Sequence, residues 1–414
     1  MKNRVHPAFL LAIWVLPGLL SAQPTRRALL IAVGAYAPDT RWPALASGRD
    51  ADLLHGVLVR QGFPEQNIHI LRDSAATRAG IEAALRTLTA QVQPGDAVLI
   101  HFSGHGQQVA DDNRDEADGY DEALVPYDSP RDFQQGRNEG ERLLRDDALG
   151  RHVRALRERL GPAGSVLVLI DACHSGTGLR GEAGAGVRGT DQPMADAQYQ
   201  KAQQSRPVDH NTLAEGGEPE KPSAGAPVVA FFAASAHEDN YEIRDESGQK
   251  VGSLTYAFCK AFAAARPTST YRGLFDQVKT TINSRITLQN PQAEGALDRR
   301  VFDGRVAGRP AHFEVKAVPD PRTALLSAGR LWGLSEGAEL VFYPIDTHDT
   351  TGVNPLASGT VQTSGALEST IALKHPVTPR TFIGSWAFLR TPAWKDGALR
   401  VRVELTEGIL DDSV

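Results

Sequence analysis

The chain has 414 residues, 41% of them hydrophobic. That is more than one hydrophobic core usually serves, so two folded units are expected. Its formal net charge of −6 leaves no basic footprint, and nothing in the composition argues for nucleic acid or an anionic membrane as a partner.

The first 22 residues have Lys2 and Arg4, an apolar stretch from Ala8 to Leu20, and then the small pair Ser21-Ala22. This is the layout of a signal peptide cleaved near Ala22, which implies a secreted or periplasmic protein. The stretch is shorter than the roughly 20 residues a spanning helix needs, and Pro17 interrupts it, so no stable membrane insertion is expected.

From residue 26, strand-like and helix-like segments alternate. "RRALLIAVGAY" is a continuous apolar run, and Leu53, Leu54, Val57 and Leu58 then recur at helical spacing. "NIHILRD" reads as a strand, "TRAGIEAALRTLTAQV" as a helix, "AVLIHFSGHG" as a strand, "RDDALGRHVRALRERLG" as a helix and "SVLVLIDACHSG" as a strand. Such alternation predicts an α/β fold with a mainly parallel sheet flanked by helices. Residues 176–226 are rich in Gly, Pro and polar side chains and read as a mobile insertion. The strand "PVVAFFAASA" and two helical segments follow. Beyond residue 308 short alternating runs predict a small, mostly β domain over 309–414, so the first domain spans 26–308.

Ligands in open α/β sheets bind beyond the carboxyl ends of the strands. His105 and Cys173 each sit just past such an end, and a βαβ crossover can place the two strands side by side. A nearby imidazole is a standard way to generate or use a thiolate nucleophile. The amides of Gly106 and Cys173 are natural donors for an oxyanion hole. The predicted chemistry is attack on an amide carbonyl to give an acyl-enzyme. Each residue alone has a bland reading, a packed cysteine or a turn histidine; the pairing at equivalent strand ends raises the catalytic one. His101 lies deeper on its strand and is expected to be packed. Cys259, in the apolar "LTYAFCKAF", is expected to be a buried, inert thiol.

The blocks "FSGHG", "DGYDEALVPYD", "LLRDDAL", "LIDACHSG" and "QNPQAEG" together resemble the caspase-like cysteine peptidases, specifically the metacaspase branch with its bacterial relatives. The likeness runs from about residue 27 to 303. It includes "LASGRDADLL", where Arg49 stands in place of the more usual Asn. The resemblance implies a caspase-like sheet and a His105–Cys173 dyad. "DGYDE" and "RDDAL" favour a metacaspase over a legumain-like peptidase of the same clan. A catalytically weak binding or scaffold module is the alternative, opposed by the intact His-Gly and Ala-Cys pairs.

By period-2 alternation Asp171 lies on the same side of its strand as Cys173, and on residue chemistry alone it either holds the loop or orients His105. The resemblance implies a sharper role. Asp50 and Asp171 match the two carboxylates of a pocket for Arg or Lys before the cleaved bond, with Ser103 adding a hydrogen bond. The expected partners are therefore protein or peptide substrates containing Arg or Lys, acted on by a monomer. Self-cleavage in the insertion, which carries Arg180, Arg188, Lys201, Arg206 and Lys221, follows from the same reading.

The chemistry requires no cofactor. "DDNRDEADGYDE" does not fit an EF-hand loop, and its bland reading is an exposed acidic loop. The resemblance implies calcium held by Asp121, Asp146 and Asp147. Against it, Thr177, Gly178 and Leu179 stand where the family has a further acidic ligand.

Overall fold

A computed structural model describes residues 24–113, 116, 118–173, 186–203, 225–235, 238–303, 312–347, 350 and 352–393. The readings made for the signal segment, for Thr177, Gly178 and Leu179, and for Arg180, Arg206 and Lys221 lie outside these residues. The first domain runs β1 (Arg26–Ala32), α1 (Ser47–Arg60), β2 (Ile68–Arg72), α2 (Arg78–Gln91), β3 (Ala97–Ser103), β4 (Gly106–Ala110), β5 (Tyr120–Leu124), β6 (Leu144–Arg145), α3 (Asp146–Leu160) and β7 (Ser165–Asp171). It continues with α4 (Ala197–Gln203), β8 (Val228–Phe232), β9 (Glu242–Arg244), β10 (Lys250–Gly252), α5 (Ser253–Ala263), α6 (Tyr271–Asn283) and β11 (Gln292–Gly295).

The main sheet has the order β11-β8-β7-β3-β1-β2, parallel except for β11 at its edge. Its strands read as unbroken apolar runs because both faces are covered. Side-chain parity divides them. Leu29, Ile31, Val98, Ile100, Val166 and Val168 pack under α2 and α3, while Ala28, Leu30, Leu99, Leu167 and Leu169 pack under α1, α5 and α6. β3 and β7 are neighbours, with Ser103 opposite Asp171. His105 and Cys173 are therefore each two residues beyond a matched pair, at one edge of the sheet.

The end of "DDNRDEADGYDE", a stretch whose bland reading is an exposed acidic loop, instead begins β5 in a three-stranded sheet with β4 and β6. Ala123, Val125, Val109 and Leu143 give it a small apolar cluster of its own, together with Trp42 and Met194. Residues 186–203 fall within the span read as a mobile insertion; Gly186, Val187 and Arg188 pair with residues 240–242, Met194 pairs with β4, and Tyr199 meets Tyr120 at the start of β5.

The second domain is a closed antiparallel barrel of six strands: β12 (Phe313–Asp320), β13 (Thr323–Leu326), β14 (Glu339–Tyr343), β15 (Ala357–Ser364), β16 (Ser369–Leu373) and, after the short α7 (Pro379–Phe382), β17 (Trp386–Thr391). Closure removes the open edges that such short strands would otherwise expose. The barrel meets the first domain where Asp346 accepts the Thr270 N–H at 3.2 Å, just before α6. Among the described residues, no helix is long and apolar enough to cross a membrane.

Candidate active site

His105 is wholly buried. Trp42 stacks on its ring at 4.7 Å between centroids, and Tyr36 lies at 5.3 Å. Its Nε2 is 3.0 Å from the Pro43 carbonyl oxygen. A carbonyl only accepts, so Nε2 carries the proton and Nδ1 holds a lone pair. Nδ1 is buried without a hydrogen-bond partner. Burial pushes the imidazole down to about 3, opposed by the Pro43 contact and reinforced by Arg188 and Arg131, so the ring is neutral around pH 7. Across the cleft, the Cys173 thiol donates to the Glu238 carbonyl at 2.9 Å.

Arg188 bridges the two strand ends through its backbone. Its carbonyl oxygen accepts from the Cys173 amide at 2.9 Å and from the Gly106 amide at 3.2 Å, the two donors read as an oxyanion hole. Its own amide donates to the Asn240 carbonyl at 2.9 Å, and Val187 forms an antiparallel bridge with Tyr241. The next residue, Gly189, lies so close to Cys173 that a Cβ there would sit 2.5 Å from the Cys173 carbonyl oxygen.

The Arg188 side chain is 0% exposed and surrounded by carboxylates from three elements. Nη2 is 2.7 Å from Asp50 Oδ2 on α1 and 3.3 Å from Glu242 Oε1 on β9. Nη1 donates to Ser103 Oγ at 2.7 Å and lies 3.5 Å from Asp171 Oδ1 at the end of β7. The N-terminus of α5 supports the carboxylates: Asp171 Oδ2 accepts the Thr255 amide and Asp50 Oδ1 the Gly252 amide, both at 2.8 Å. Unpaired helix N–H groups and the helix dipole favour negative charge there. Burial pushes Asp50 up, opposed by Arg188. Burial alone would lower Arg188, but Asp50, Asp171 and Glu242 hold it above its ordinary value. Gly252 must lack a side chain, because a Cβ would lie 2.2 Å from Asp171 Oδ2 and 2.7 Å from Arg188 Nη1. The sheet edge thus holds a thiol, a neutral imidazole, paired amide donors and an acidic pocket filled by the chain's own arginine.

Residues 25–302 match the family model described as "Caspase domain". The chain belongs to the caspase-domain family. It is similar to Metacaspase-3 of Arabidopsis thaliana, at 30% identity over 240 residues, 56% of this chain and 59% of that one. It is also similar to Metacaspase-1 of Mycosarcoma maydis, at 27% over 304 residues, 66% and 70% of the two chains. Metacaspase III c of Phaeodactylum tricornutum is 36% identical over 165 residues, 38% of this chain and 45% of that one. The chain thus spans about three fifths of the Arabidopsis relative's length, and it is metacaspase-like.

In this caspase-domain chain the acidic residues of the β5 region separate. Asp121 pairs with Arg145, and Asp147 accepts from Asn113 Nδ2 at 2.8 Å. Asp146 instead shares a cluster with Glu116 and Glu122, their oxygens all within 4.8 Å of one another. Successive residues of β5 face opposite ways, which sends Asp121 and Glu122 to different sides. Burial, then Asp146, Asp118 and Glu116, push Glu122 well up. These hard oxygen donors suit calcium, whose usual six to eight ligands would include carbonyls and waters besides the three carboxylates.

Sequence reasoning missed Glu242, Trp42, Tyr36 and Asn240, whose amide donates to Asp171 Oδ1 at 2.8 Å. None sits in a motif beside the dyad. Gln289, in the block "QNPQAEG", carried a signal: it is buried, and it donates to Ser253 Oγ at 2.6 Å and to the Ala233 carbonyl at 2.8 Å, bracing the base of the pocket. His101 is packed, 2.9 Å from Thr255 Oγ1. Cys259 is buried on α5, and burial and then Asp50 push its thiol well up, which keeps it protonated and inert.

Proposed function

We propose that the chain is a secreted cysteine endopeptidase that cleaves after Arg or Lys, and that its first substrate is its own Arg188–Gly189 bond. The observation that carries this reading is Arg188 itself, with its carbonyl oxygen on the Gly106 and Cys173 amides and its guanidinium among Asp50, Ser103, Asp171 and Glu242. A planar fork of donors matches carboxylates better than any other side chain does.

The Cys173 thiol passes its proton to His105 Nδ1, and sulfur attacks the Arg188 carbonyl carbon. The negative charge that develops on oxygen meets two amides already oriented toward it. The C–N bond breaks as His105 returns the proton to the Gly189 nitrogen, leaving a thioester on Cys173. Water, losing a proton to His105, then releases the acid and regenerates the thiol. With Arg188 in place burial keeps His105 a weak base, so this first cut is expected to be slow. Calcium, when bound by Glu116, Glu122 and Asp146, would brace the β5 region and take no part in the reaction.

Fluorogenic peptides ending in Arg, Lys or Asp test the specificity. The Arg and Lys peptides should be hydrolysed and the Asp peptide spared; activity on the Asp peptide alone would sink the pocket assignment. Intact-mass and N-terminal analysis should find a fragment beginning at Gly189, absent from Cys173→Ala. The same fragment in that variant would remove self-cleavage.

A further inference from the structure

The chain beyond Gly189 continues from the site, and its side chains are buried at two points. Thr190 and Met194 are 7% and 1% exposed, whereas Asp191 and Gln192 face solvent. Thr190 Oγ1 accepts from Arg131 Nη2 at 3.0 Å, and the Gln192 carbonyl accepts from Gln107 Nε2 at 2.8 Å. Met194 pairs in parallel with β4: its amide donates to the Gln108 carbonyl at 2.7 Å, and its carbonyl accepts from the Ala110 amide at 3.2 Å. The Met194 side chain enters the cluster of Trp42, Val109 and Leu143.

Arg131 makes less use of Thr190 than its shape permits. Its Nε is buried without a hydrogen-bond partner, and its guanidinium lies over Trp42, 5.6 Å from the ring centroid. Nε and Nη2 form one edge of the guanidinium, spaced to meet both oxygens of a carboxylate. A threonine hydroxyl satisfies only one of them.

We infer that the cleft also selects substrates on the leaving-group side of the cut. Arg131 reads the second residue after the cleaved bond and favours a carboxylate over a hydroxyl, and the Trp42, Val109 and Leu143 pocket takes an unbranched apolar side chain at the sixth. This rests on the peptidase reading above. Thr190 then makes the chain's own segment a deliberately second-rate occupant, which a better substrate displaces.

Internally quenched peptides of the sequence Val-Arg-Gly-X-Asp-Gln-Pro-Met, with X as Asp, Thr or Lys, test it on the full-length chain. We expect kcat/KM to fall about tenfold from Asp to Thr and again to Lys, mostly through KM, as each step loses or opposes one charge-assisted contact. Replacing the final Met by Lys should cost about tenfold. Arg131→Gln should compress the X series to within about twofold, while the wild-type series is informative even if that variant folds poorly. Equal wild-type rates for all three X residues, with the cut still after Arg, overturn this inference and leave the peptidase reading standing. No cleavage of any peptide overturns both.

Discussion

Two carboxylate clusters, one around Arg188 and one formed by Glu116, Glu122 and Asp146, meet the cost of crowded negative charge differently. In the pocket, Asp50, Asp171 and Glu242 enclose a buried guanidinium and accept hydrogen bonds from the start of α5 and from the Ala46 amide. In the other cluster, Glu116, Glu122 and Asp146 face one another, and burial with these neighbours drives Glu122 toward its neutral form. The difference lies in the counter-charge. A buried charge keeps its ionised form only when a partner and oriented dipoles replace water. The pocket recruits its cation from the chain itself, while the chemistry of the second cluster suits a cation from solution.

The pocket is most sensitive at Asp50, which meets Arg188 directly. Asp50→Asn should lower kcat/KM on Arg peptides at least about 30-fold, since losing one partner of a buried charge pair costs about 2–5 kcal/mol. Glu122→Gln, measured at saturating calcium, should leave the ratio of Arg to Asp cleavage unchanged; loss of that ratio would show that the two clusters are not independent. Gly252→Ala should narrow the pocket mouth and raise KM for Arg peptides about tenfold, because the added methyl meets Asp171 and the guanidinium. If the kinetics are unaltered, Arg188 does not mark the substrate position.

Calcium sharpens the other side. Millimolar calcium should raise Tm by about 2–4 °C over a chelator control in wild type, the shift expected from roughly 1 kcal/mol of linkage, and by much less in Glu122→Gln. A shift that persists in the variant would place the ion elsewhere.

The smallest effect concerns a third kind of acid, Asp276 on α6. Burial, then Glu314 opposite it on the barrel, push it up to about 7, and its Oδ2 is buried without a hydrogen-bond partner. A carboxyl raised above its unfolded value of 3.8 contributes its stability in full below that value and loses it as pH rises through 7. Stability should therefore decline between about pH 4 and 7, and Asp276→Asn should flatten this window and stabilise the protein at pH 8 by on the order of 1 kcal/mol. An unchanged pH profile of chemical denaturation would show that Asp276 titrates normally.

Much of this was legible locally. Apolar runs such as "SVLVLID" and "AVLIHFS" could only be strands covered on both faces, and their parity carried Ser103, His105, Asp171 and Cys173 to one edge once β3 and β7 paired. The hidden parts come from elsewhere in the chain. Glu242 lies 71 residues beyond Asp171 in a three-residue strand, and Trp42 reaches His105 from a loop with no regular pattern. The polar, Gly-rich composition around Arg188 gave no sign that it was buried.

Which side chains could do chemistry, and which strand ends would present them, follows from the order of residues alone, because alternation and helical spacing are set by neighbours a few residues apart. The convergence of α1, β3, β7 and β9 on one guanidinium, and that guanidinium's being the chain's own, arises only in the assembled fold. Burying a charge depends on which distant groups replace its water, and that is fixed by how the sheet is assembled, with no trace in local composition.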